Sequence, residues 1–416
     1  MNSTIAVCVR ISLLAGTVFG SALSLGDARA ASESVLYSFT GGIDGSEPYG
    51  GVILDRRGRL VGTTTLGGVR GQGTLFKLTP GSSETVLVSF DTRRGREPYA
   101  GLIADSQGNL FGTTLTGGRH DGTERGTVFR LAPDGREAVI HAFENGSDGS
   151  FPVAGLIADG NGNFYGTTPS GGGELDGGSV FELAPDGTET VLYGFRGGTD
   201  GAYPRASLLE DKQGNLYGTT AFGGGGGNNN CGGWSSGGCG TVFKLTPNGT
   251  ETLLYVFQGG SDGGNSDSNL IADTSGNLYG TASYGGVGSC LNGWGCGTLF
   301  KLTPEGTKTV LYAFQGGGDG GNPAGNLIVD PEGNFYGVTY AGGGTGCGGL
   351  GCGTVFEISS GGHETLLYAF RGGSDGATPR AGVIADKKDH LYGTTMAGGG
   401  DGCGGQGCGT VFELKR

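Results

Sequence analysis

The chain has 416 residues, of which 97 are glycine and only 35% are hydrophobic, and it carries a formal net charge of −13 with a pI near 4.8. The glycines follow no three-residue period, which excludes a collagen-like chain, and they flank short apolar runs rich in Val, Leu, Tyr and Phe. An acidic surface repels polyanions, so nucleic acid and anionic membranes are poor partners.

At the N-terminus, Arg10 precedes an apolar stretch from Ile11 to Leu25, and Ala28-Arg29-Ala30 supplies small residues at cleavage spacing. Residues 1–30 therefore read as a signal peptide, too short and too glycine-interrupted for a membrane span. The mature chain, residues 31–416, is expected as one exported, secreted or periplasmic domain with no membrane span, and as a monomer.

From residue 31 a single phrase recurs. Its GTVF-type phenylalanines are Phe76, Phe129, Phe181, Phe243, Phe300, Phe356 and Phe412, at intervals of 52 to 62 residues. Its YGTT-type glycines are Gly62, Gly112, Gly166, Gly218, Gly280, Gly337 and Gly393. Both markers count seven units, ending near residues 90, 143, 195, 257, 314, 370 and 414.

Each unit reads as four strands joined by turns. Strand A is GLIAD-like (Gly101–Asp105), strand B LYGTT-like (Leu216–Thr220), strand C TVFKL-like (Thr241–Leu245) and strand D ETVLYGF-like (Glu189–Phe195). A glycine in mid-strand predicts close approach of a neighbouring sheet. No 3.6-residue period intervenes. The spacing predicts an all-β fold, a seven-bladed β-propeller, over a solenoid or linear array. The expected mature chain opens on an unpaired D strand, Ser34–Phe39, and its last repeat closes on an unpaired C strand, Thr410–Leu414. A ring closes if the N-terminal strand completes the last blade.

In such a ring, the B–C and D–A loops share one face and the tight A–B and C–D turns the other. Four B–C loops carry cysteine pairs: Cys231/Cys239, Cys290/Cys296, Cys347/Cys352 and Cys403/Cys408. The spacings vary and no histidine sits beside a pair, so local disulfides are expected over zinc sites.

The phrases GNLYGTT, GTVFKLTP and ETVLYSF, spaced as here, resemble the GloVer tandem repeat, also called the Gloeobacter/Verrucomicrobium repeat. The resemblance covers essentially all of residues 31–416. It implies an exported bacterial propeller-like protein and carries no activity. More distantly, the strand order is similar to that of NHL-type propeller repeats.

Function is expected on the loop face. Phe222, Tyr284 and Tyr340 begin three stapled loops, and Trp234 and Trp294 lie within two of them. Aromatic side chains on small rigid loops suit recognition of an extracellular glycan or protein. His120 is the histidine placed for chemistry on that face. Asp267, Asn269 and Asn326 replace Ala or Gly near strand A and are the metal candidates under the enzyme alternative; no cofactor is assigned, and calcium is the ion weighed. Asp44, Asp148, Asp200, Asp262, Asp319 and Asp375 recur in GGxDG-type loops, where they are read as turn residues more readily than as calcium ligands. Asp55, Asp105, Asp159, Asp211, Asp273, Asp330 and Asp386 are expected to cap the turn after strand A. No nucleophile motif is present. A binding module is the favoured reading; a metal-assisted hydrolase or lyase with its site at the channel mouth, and a structural envelope protein, are the alternatives.

Overall fold

The computed structural model describes residues 31–416, except 80, 82, 119–123, 145, 174 and 226–236. The expectations for the signal peptide, His120, Trp234 and Cys231 therefore lie outside the described residues. The rest, Ala31–Arg416, forms one compact unit.

It is a seven-bladed propeller of four-stranded antiparallel sheets. Six blades are continuous in sequence, from Val52–Ser89 to Gly321–Ala369. The seventh is built of Val383–Ala385, Leu391–Thr395 and Thr410–Lys415, with Ser32–Ser38 as its outer strand. That N-terminal strand pairs antiparallel with the last, from Ser32 opposite Lys415 to Ser38 opposite Thr410. The expected closure is the one observed. The B and C strands have the bounds expected from sequence, whereas strand A shrinks in most blades to two residues such as Ile103–Ala104. Short helical turns at Cys290–Gly293, Cys347–Gly349 and Gly402–Gly405 occupy stapled loops.

The mid-strand glycine has a different cause from the one expected. A Cβ on Gly62 would lie 2.8 Å from Cζ of Phe76, its cross-strand partner in the same sheet. The same contact recurs from Gly112 to Gly393, so the glycine makes room for the blade's own C-strand phenylalanine. Those rings then meet the next layer. Phe39, Phe90, Phe143, Phe195, Phe257, Phe314 and Phe370 directly follow the D strands, and each packs edge-on against the C-strand phenylalanine of the following blade. Centroids lie 5.1 to 5.4 Å apart, the favoured T-shaped range.

The paired threonines after the glycine have separate tasks. Thr63 donates to the carbonyl of Ala100 in the next blade at 3.3 Å, a bond repeated by Thr113, Thr167 and Thr219. Thr64 bonds Thr74 of its own C strand at 2.8 Å. In blade five Ala282 replaces that second threonine, and Thr298 Oγ1 is left buried without a partner.

At the start of strand D, Glu33, Glu84, Glu189 and Glu364 each hold a buried carboxyl oxygen without a hydrogen-bond partner. Burial, reinforced by a nearby aspartate in each case, lifts these four carboxyls to about 7. Lys308 stands at the equivalent place in blade five and pairs instead with Asp262 at 2.9 Å.

Two predictions follow from the ring. Deleting residues 31–40 removes Phe39 and one edge of the last blade, and the melting temperature should fall by roughly 10 °C or more; an unchanged transition would rule out the closure. The four raised glutamates bind protons more tightly folded than unfolded, so their contribution to stability is complete below about pH 4.5 and is lost as pH rises to about 7. Melting temperature should therefore drop between pH 5 and pH 8, and Glu84→Gln, Glu189→Gln and Glu364→Gln combined should flatten the drop. A profile as steep in the triple variant as in the parent would contradict the assignment.

Candidate functional site

The D–A and B–C loops meet on one face through short bridges, such as Ser46 with Leu66 and Gly264 with Tyr284. The A–B and C–D turns close the opposite face. There Asp55 and its equivalents cap their turns as expected, Asp55 Oδ1 accepting from the backbone amides of Arg57 and Arg59 at 2.8 and 2.9 Å. Those amides, together with the side-chain bond to Arg59, hold the Asp55 carboxyl below its usual range against the upward push of burial.

The aspartates of the D–A loops are likewise engaged locally. Asp44 accepts from the Thr40 amide and hydroxyl, each at 2.7 Å, and from Tyr37 at 3.0 Å. Asp200, Asp262, Asp319 and Asp375 each accept from a tyrosine hydroxyl and a backbone amide in the same way. These carboxylates order their own loops.

Cys290–Cys296, Cys347–Cys352 and Cys403–Cys408 are disulfides, and Cys239 is disulfide-bonded. The second cysteine of each staple also acts on the next blade. The carbonyls of Cys408, Cys239, Cys296 and Cys352 accept from the amides of Glu47, Asn265, Asn322 and Thr378 at 2.6 to 2.9 Å. Each of those four residues has a left-handed backbone, with φ between 53 and 57°. Glu97, Phe151 and Tyr203 complete the set, so all seven blades hold a non-glycine residue in this conformation at one position. Left-handed backbone costs each such residue about 1–2 kcal/mol. The fixed loop carbonyls maintain it, and it aims the next residues at the ring axis.

Two residues further on, the seven blades present Tyr49, Tyr99, Val153, Arg205, Asp267, Ala324 and Arg380. All seven line a central cavity of about 880 Å³. The innermost backbones are packed so tightly that a Cβ on Gly50 would lie 2.2 Å from the carbonyl oxygen of Ala100. The mouth is therefore shaped by the residue just before that contact. Tyr203, Tyr284 and Tyr340 also line the cavity. Tyr49 and Tyr99 pack with centroids 4.7 Å apart and ring planes tilted by 56°. The Arg380 guanidinium lies 4.2 Å from the Tyr340 ring centroid and 5.7 Å from that of Tyr49.

Among the lining residues the charged groups are Arg205, Asp267 and Arg380. Burial raises the Asp267 carboxyl, with Arg205 and Arg380 pulling it back, and its Oδ1 is sealed from solvent without a hydrogen-bond partner. Arg380 Nε is likewise buried and unpartnered.

The residues singled out in the sequence fall in two layers. Tyr284, Tyr340, Asp267, Asn269 and Asn326 line the cavity. Phe222 and Trp294 stand behind its wall, edge-on to Tyr203 at 5.6 Å and to Tyr284 at 5.8 Å. Trp294 is half-buried. Asn269 Oδ1 already accepts from the Ser207 amide at 3.0 Å, and Asn326 is exposed, bridged to Gly382 of the next blade. Among the described residues, no group of three or more His, Cys, Asp or Glu is arranged to hold a metal. Sequence reasoning missed Tyr49, Tyr99, Tyr203, Arg205 and Arg380. Aligning the units on the proline of the D–A loop, present in six of the seven and replaced by Ser266 in the other, exposes all but Tyr203 in one column.

The extracellular domain of a B. thetaiotaomicron protein described as a one component system matches the fold with a TM-score of 0.55 at 11% identity, over 92% of this chain and 40% of that one. PorZ, a surface component of the type-IX secretion system of Porphyromonas gingivalis, matches with 0.53 at 13% identity, over 92% and 48%. The chain spans less than half of either protein, and the likeness is one of fold. No curated protein matches it by sequence. The Gloeobacter/Verrucomicrobia repeat matches at residues 14–177, 122–350 and 230–416, and the chain belongs to that family.

Proposed function

We propose that the chain is an exported binding module that captures an extracellular glycan at the mouth of its central channel. The observation that carries this is the seven-membered column at the mouth. Scaffold positions repeat around the ring, while this column reads Tyr, Tyr, Val, Arg, Asp, Ala, Arg. Positions that break a repeat without a packing reason are where function is sought.

The cavity supports the reading. Its volume of about 880 Å³ is that of an ordinary ligand site, and its wall mixes aromatic faces with a few convergent polar groups. Tyrosine offers a broad apolar face to a sugar ring and a hydroxyl to its edge, at little conformational cost. The surrounding face is sticky as well: Ile43, Val69, Leu175 and Leu350 are 63 to 75% exposed, all on D–A or B–C loops. The disulfides suit an oxidising, exported setting. Among the described residues, no helix is long and apolar enough to cross a membrane.

The test is a glycan array with residues 31–416, followed by titration of the captured oligosaccharide. Tyr49→Ala and Tyr203→Ala should each weaken binding about tenfold or more, with melting little changed, while Arg57→Ala on the opposite face should bind as the parent does. Failure of the parent chain to retain any glycan, or unaltered affinity in both tyrosine variants, would overturn the proposal.

A further inference from the structure

Resting on that reading, we infer the class of ligand: the mouth takes the end of an acidic oligosaccharide, with Arg205 and Arg380 receiving a sugar carboxylate beside the tyrosine faces. The chain as a whole carries −13, with Asp and Glu outnumbering Lys and Arg by 39 to 26. The charged lining of the cavity reverses that balance, with two guanidiniums to one carboxylate.

Both guanidiniums act on Asp267 from a distance without pairing with it. Among the described residues neither Arg205 nor Arg380 forms an ion pair, whereas Arg59, Arg94, Arg96 and Arg136 all do. Arg205 is exposed at the rim. The Arg380 guanidinium sits over the Tyr340 ring, 4.2 Å from its centroid, and its Nε is buried and unpartnered. Burying an unsatisfied charged donor is costly, and an incoming carboxylate, which pairs with guanidinium in a fork, relieves that cost.

The other lining groups fit the remainder of such a ligand. Asp267 and Asn269 line the cavity on the side of blades four and five as polar neighbours for ring hydroxyls. Tyr49 and Tyr99 present a pair of tilted, touching rings on the side of blades one and two. A neutral sugar offers the guanidiniums only hydroxyl and ring oxygens, weaker partners than a carboxylate's paired, charged oxygens. The acidic outer surface disfavours a long polyanion lying across the face, so the ligand is a chain end entering the mouth.

The experiment offers residues 31–416 to uronate oligosaccharides of the pectin, alginate and hyaluronan types, each beside its carboxyl-reduced counterpart. At least one acidic oligomer should bind tenfold or more tighter than its reduced form. Arg205→Gln and Arg380→Gln should each erase most of that difference, weakening the acidic oligomer far more than its reduced form. Because Arg205 is exposed, its substitution carries the test even if Arg380→Gln folds poorly. Neutral or reduced glycans bound as tightly as acidic ones would overturn this inference and leave glycan capture standing. Retention of neither class would overturn both.

Discussion

The phenylalanine pairs between blades are the contact on which this protein depends. A four-stranded sheet cannot bury both faces alone, and each blade here closes against the next by one T-shaped pair, repeated seven times around the ring. The mid-strand glycine exists to seat one ring of the pair, and the D strand ends where the other begins. Closure through the N-terminal strand places Phe39 against Phe76 and makes the seventh interface like the others. Removing one such ring leaves a cavity costing about 3–5 kcal/mol, a large share of a domain's net stability.

That rigidity permits strain at the centre. Seven left-handed, non-glycine residues surround the channel mouth, four of them hung on the carbonyl of a stapled cysteine. Strained backbone persists only where its surroundings determine it, and it is commonly found at binding sites. The staples therefore bear on the mouth indirectly. They pin a loop whose carbonyl orients the next blade, and the residue delivered to the axis is free to differ from one blade to the next.

The fold was legible in the sequence because every blade spells its scaffold out. GNLYGTT and GTVFKL fix strand identity and order, and the half-phrases at Ser34–Phe39 and Thr410–Leu414 disclose how the ring closes. The mid-strand glycine was legible as crowding, but its partner was not, since only the register shows that Phe76 lies opposite Gly62. The site was half legible. Tyr284 and Tyr340 line the cavity, yet Trp294 and Phe222, conspicuous by residue type, stand behind other aromatic rings. Tyr49, Tyr99, Arg205 and Arg380 escaped notice because each follows a proline in a loop read as a turn. Their convergence depends on the ring bringing together residues as far apart as Tyr49 and Arg380.

The central claim is that the blades supply a frame and the divergent column at the channel mouth supplies recognition. Hydrogen exchange on residues 31–416, with and without a captured oligosaccharide, tests it most directly. Protection should concentrate at residues 46–51, 97–101, 203–207, 265–269 and 378–382, with the A–B turns on the opposite face unchanged. Protection confined to those turns, or to the outer D strands, would contradict the account.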